Sequence, residues 1–114
     1  MPPSIVVVIR DDPRKTHRAV EGLRIALGLS TGSNPLTVIL LEQAPLLLTE
    51  DLEDIVDAEI LEKHLPALKE LQIPFLVTTG ASSRFEIDPD FRLREIPAQD
   101  VPSLIAQTDR VLVF

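Results

Sequence analysis

Two histidines, His17 and His64, are the only imidazoles in the sequence, and there is no cysteine. These two residue types supply most of the nucleophilic and acid–base chemistry that proteins run near neutral pH. The missing thiol excludes disulfides, thiolate metal centres, iron–sulfur clusters and persulfide chemistry within the sequence. The two histidines are too few and too far apart in sequence to frame a metal site. Pairing either with Ser82 or Ser83 as a hydrolytic couple has no nucleophile-elbow motif behind it. Phosphate-binding glycine patterns are absent as well, since only Gly22, Gly28, Gly32 and Gly80 occur. Gly22 and Gly28 fall within a helical segment, where close packing against a sheet is their expected task. No catalytic residue, no cofactor and no metal is therefore expected.

Two polar clusters remain. Asp11-Asp12 follows an apolar run, and adjacent carboxylates in that place can chelate Mg²⁺ in phosphoacceptor domains. That chemistry needs a further Asp and a Lys at the ends of later strands, and Thr78-Thr79 stands where the acceptor would be. The other reading makes Asp11 or Asp12 the cap of the next helix, with Pro13 near its first position. Gly80-Ala81-Ser82-Ser83-Arg84 could cradle an anion: small residues let N–H groups converge, the serines donate and Arg84 neutralises. An ordinary turn capped by Ser82 or Ser83 is the alternative. The candidate ligand-binding rim comprises Asp11, Asp12, His17, Thr78, Thr79, Ser82, Ser83 and Arg84.

Positioning these residues requires a sheet. Ile5–Ile9 is a continuous β-branched run, the pattern of a parallel strand covered on both faces. Helical spacing follows, from about 13–15 to Leu29, and the 30–35 stretch stops it. Leu36–Leu41 is a second buried strand. The apolar side from Leu52 to Leu71 places a helix between Thr49 and Gln72, with Pro66 either kinking it or opening a second helical piece. The acids from Glu50 to Glu59 then form a solvated face near the helix start, where the helix dipole favours them. Pro74–Thr79 is a third strand, a short one lies around Arg92–Ile96, Val101–Thr108 is a short helix capped by Asp100, and Arg110–Phe114 closes. Strand–helix alternation of this length implies parallel strands with right-handed crossovers. The expected fold is a single α/β domain over 1–114: a flavodoxin-like open parallel sheet of four to five strands, helices on both faces. Ligands of such sheets sit beyond the carboxyl ends of the strands, which is the rim named above.

At 114 residues the chain is long enough for one core, and 45% apolar residues with a mean hydropathy of +0.18 suit a globular domain. A net charge of −7 disfavours nucleic acid and anionic membranes. No run approaches the ~20 apolar residues of a membrane span. No basic stretch precedes Ile5–Ile9, so no signal peptide is expected and the expected location is cytoplasmic. Leu46-Leu47-Leu48 lies outside any legible core element, and a single face cannot bury all three. These leucines are expected at a subunit interface; a loop folded beneath its own domain is the alternative.

Across nearly the full chain the sequence resembles the DsrE/DsrF-like family, which includes the TusB, TusC and TusD subunits of the bacterial sulfur relay. It is most similar to the TusC/DsrF branch. The resemblance lies in Ile5–Ile9 with the helix carrying Glu21-Gly22-Leu23, in Gln43–Leu48, in Phe75–Val77 leading to Ala81-Ser82-Ser83-Arg84, and in Thr108–Phe114. It implies a flavodoxin-like domain associating into trimers or hexamers, homo- or hetero-oligomeric, with DsrE-like subunits. Active subunits of the family carry a persulfide-forming cysteine after the third strand. Here that stretch reads Val77-Thr78-Thr79-Gly80-Ala81. A threonine hydroxyl, with its far higher pKa, neither ionises usefully at neutral pH nor forms a persulfide. The resemblance thus implies a non-catalytic subunit; the alternative, read from the rim residues themselves, is a small-anion or polar-ligand module at Asp12–His17 and Gly80–Arg84.

Overall fold

The structure, a computed structural model, describes residues 2–114. Five parallel strands form one sheet: β1 (Ile5–Ile9), β2 (Leu36–Leu40), β3 (Phe75–Thr78), β4 (Leu93–Ile96) and β5 (Arg110–Val113). Four helices connect them: α1 (Arg18–Leu29), α2 (Ala58–Glu70), α3 (Ala81–Phe85) and α4 (Val101–Ala106). This is the flavodoxin-like, open α/β architecture expected from the alternation. The strand order is β4-β3-β2-β1-β5. Each of the first four strands adds beside its predecessor, and α4 then carries the chain back across the sheet to the far side of β1. The reversal therefore lies between β1 and β5, whereas in the 2-1-3-4-5 flavodoxin order it lies between β1 and β3.

The two faces of the sheet are unequally covered. On one, Val7, Ile9, Val38, Leu40, Phe75 and Val77 pack beneath α1, α2 and α3 in one large core. On the other, Val6, Val8, Ile39, Leu76 and Ile96 form a smaller cluster with Val101, Leu104 and Ile105 of α4 and with Leu41. All five β1 residues are buried, as a β-branched strand between two layers requires. The outer strand β5 is exposed along its whole length.

Leu46-Leu47-Leu48 corrects an expectation. Residues Ala44–Leu48 form a 3-10 turn with Pro45 in its first turn. Three residues per turn place Ala44 and Leu47 on one side, and both, with Leu48, are fully buried in the main core. Leu46 alone keeps partial exposure. The triplet is folded under its own domain, so Leu47 and Leu48 offer no surface to another subunit.

Two helix starts also differ from the sequence reading. The Pro13 carbonyl is taken by the Val56 N–H (2.9 Å), and Thr16 Oγ1 accepts the Arg18 N–H (3.2 Å), so α1 begins only at Arg18. Neither Asp11 nor Asp12 caps it. Glu50–Asp57 is a loop rather than a helix face. The Thr49 hydroxyl donates to the Leu46 and Asp51 carbonyls, Asp51 Oδ1 accepts the Glu53 N–H, and Asp57 sits at φ 61°. Such local side-chain bonds compete with helical ones. Pro66 lies inside an uninterrupted α2. Among the described residues, no helix is long and apolar enough to cross a membrane.

Candidate functional site

The carboxyl rim is built from the exits of β1, β2 and β3. Because β2 lies between the other two, the exits of β1 and β3 are separated by two strand spacings, about 10 Å. The Ala44–Leu48 turn leaves from that middle position. The candidate rim residues thus fall into two clusters rather than one constellation.

In the first cluster, Asp12 is clamped by Arg14. Nε donates to Oδ1 (3.0 Å), Nη2 to Oδ2 (2.9 Å), and the Arg14 backbone N–H also donates to Oδ1 (2.9 Å). The guanidinium bond holds the Asp12 carboxyl below the usual aspartate range. Asp11 accepts from Arg18 Nε (3.1 Å), and Arg18 Nη2 also donates to the Val113 carbonyl (3.3 Å). The Arg18 guanidinium lies 5.8 Å from the Phe114 ring centre, tying the end of β5 to that of β1. His17 is exposed at the start of α1, with only its carbonyl engaged, by the Glu21 N–H (3.0 Å).

In the second cluster the anion cradle exists, and its anion is the chain's own. Gly80 adopts φ +88°, a left-handed conformation that favours glycine. This turns the next N–H groups towards the start of α3. There the Ser82 N–H donates to Glu95 Oε2 (3.1 Å), and the Ser82 hydroxyl donates to the same oxygen. The Ser82 hydroxyl and the Gly80 and Ser82 N–H groups hold the Glu95 carboxyl below the usual glutamate range. Glu95 arrives from β4, the neighbour of β3, in register with Val77. Arg84 stacks on Phe85, 4.4 Å from the ring centre, and among the described residues forms no ion pair with Glu95. Thr79 donates its N–H to the Ile96 carbonyl (3.0 Å), Thr78 is half-buried, and Ser83 is exposed. The expectation that Ser82 or Ser83 caps a helical turn is replaced by a cap from Glu95.

Between the clusters lies an open cavity of about 460 Å³. Leu46, Ile55 and Phe85 give it apolar walls, while Glu50, Asp51, Asp54 and Glu86 ring it with carboxylates. Its one cation, Arg14, is committed to Asp12. Carboxylates at this density repel an anion, so the field at the rim opposes the anion-binding alternative. No group of three or more His, Asp or Glu positioned to hold a metal occurs among the described residues.

Sequence reasoning missed Glu95 and most of the cavity wall. The alternation Leu93, Glu95 on a short strand was the available signal for Glu95, but it points to Ser82 only once β4 is known to lie beside β3. Sequence comparison finds no matching family model and no matching curated protein. The fold is similar to the crystal structure of the ychN protein from E. coli, with a TM-score of 0.73 at 18% identity over 100% of both chains. That likeness shows a shared fold.

Proposed function

We propose that this chain is a DsrE/DsrF-like subunit that acts by assembling with other subunits and carries no sulfur itself. The observation that carries the reading is β5. Val111, Leu112 and Val113 are 39%, 38% and 47% exposed on the outer strand of a parallel sheet, an architecture in which both faces are normally covered. The Arg110 N–H bonds the Ser4 carbonyl (3.0 Å) and the Phe114 N–H bonds the Val8 carbonyl (2.8 Å). By strand alternation the backbone groups of Val111 then point away from the sheet. An apolar edge with free backbone groups invites a partner. The segment-by-segment resemblance in sequence supports the family reading, and the fold shared with ychN is consistent with it. Thr78-Thr79, standing where that family's active subunits have cysteine, supports the passive role.

Light scattering after size exclusion tests the proposal. The purified chain, or the chain with a co-expressed cysteine-bearing homologue, should run well above its 12.6 kDa monomer mass. Val111→Lys with Val113→Lys should return it to monomer without changing its circular dichroism. A monomer at tens of micromolar that also recovers no homologue overturns the reading.

A further inference from the structure

A hollow larger than the rim cavity lies elsewhere in the molecule. On the opposite end of the sheet, where α4 is too short to cover the amino halves of the strands, lies an open groove of about 640 Å³. Leu76 and Leu104 contribute its apolar floor and wall, Thr37 and Gln107 its neutral polar groups, and Arg92 and Arg94 its charges. Among the described residues no carboxylate lines it, although the chain as a whole carries −7.

Three further observations define what it fits. Its volume lies within the roughly 300–1,000 Å³ of small-molecule sites. The backbone donors at the strand starts are spent: Ile5 N–H on the Pro35 carbonyl (2.8 Å), Val38 on Pro74 (3.0 Å) and Phe75 on Arg92 (2.9 Å). The guanidiniums are largely unspent. Among the described residues Arg94 makes no ion pair or side-chain hydrogen bond, and Arg92 reaches only the Gln72 carbonyl at 3.4 Å. Two unpaired arginines beside an apolar floor suit a ligand with one charged head and one apolar body. An arginine fork matches a carboxylate in particular.

We propose that this groove binds a small amphiphilic carboxylate, its apolar body along Leu76 and Leu104 and its charge against Arg92 and Arg94. The site is separate from β5 and from the carboxyl rim, and does not depend on the role proposed above.

Titration of the full chain with decanoate, followed by amide chemical shifts, tests it. Shifts should cluster on Thr37, Leu76, Arg94 and Gln107. Arg92→Gln with Arg94→Gln should weaken decanoate about tenfold or more and leave the unfolding midpoint unchanged, because both side chains lie at the surface. Decanol and decyltrimethylammonium should bind at least about tenfold more weakly than decanoate. Absence of shifts at millimolar decanoate, shifts confined elsewhere, or equal binding by decanol would overturn the proposal. So would an unaltered affinity in the double variant, or displacement of decanoate by an acidic peptide that binds the groove more tightly.

Discussion

Glu95 shows how one side chain redirects the chemistry of a loop. The segment Gly80–Arg84 has the small residues and convergent donors of an anion site, and the fold supplies the anion internally through Glu95. A carboxylate whose folded pKa is depressed stabilises the fold at pH values above its ordinary range, and this contribution is lost as pH falls through the folded value. Glu95→Gln should therefore lower the thermal midpoint at neutral pH. The gap from the parent should close as pH falls through the folded Glu95 value, below the usual glutamate range, where the carboxyl is protonated in the folded chain as well. A gap that persists in acid would mean that packing, not charge, accounts for the loss. Lys69 and Asp88 form a second such contact (2.7 Å), which also ties α2 to the loop before β4. Asp88→Asn should cost about 1 kcal/mol, read from urea unfolding at neutral pH.

Helix α1 carries two glycines with opposite tasks. A Cβ at Gly22 would stand 3.0 Å from Ile9 Cδ1 and 3.1 Å from Phe114 Cγ, so the glycine lets the helix lie close on the sheet. Gly28 has nothing within 4 Å, which corrects the expectation that it too serves packing. Alanine gains about 1 kcal/mol over glycine in a helix, whereas overpacking a core costs about 1–3 kcal/mol. Ile9 is fully buried, so it must shift against the packed core to admit a Cβ. Gly28→Ala should thus raise the urea midpoint and Gly22→Ala should lower it; shifts in the same direction would refute the distinction. The same contrast between local pattern and surroundings explains the Ala44–Leu48 turn. Leucine spacing marks the residues as apolar, but only the position of that turn over the main core decides that Leu47 and Leu48 are covered by their own domain.

For the whole molecule, acid should be the destabilising direction. Asp12, Glu21, Asp88 and Glu95 are all held below their ordinary ranges, chiefly by hydrogen bonds from Arg14, Arg24, Lys69 and Ser82 respectively. The unfolded chain consequently binds more protons than the folded one near the carboxylate range, and stability rises with pH there. Lys69 is shifted up by Asp88, so its contribution persists until pH rises through its folded value, above the usual lysine range. Urea midpoints should stay level through neutral pH and fall below about pH 4. A midpoint that rises on acidification would contradict this assignment.

By itself the sequence already excludes thiol chemistry, and its alternating periods specify four to five strands, an α/β class and parallel pairing. These properties are local: a β-branched run such as Ile5–Ile9 or a helical spacing such as Ala19–Leu29 is written within a few turns of chain. The contacts between segments were decided by tertiary structure alone. Glu95 meets Ser82 because β4 lies beside β3, Arg18 meets Val113 and Phe114 because β5 returns to β1, and the arginine groove opens because α4 covers only part of its face. Each depends on which strands become neighbours, a consequence of the chain's whole packing that no short stretch of residues encodes.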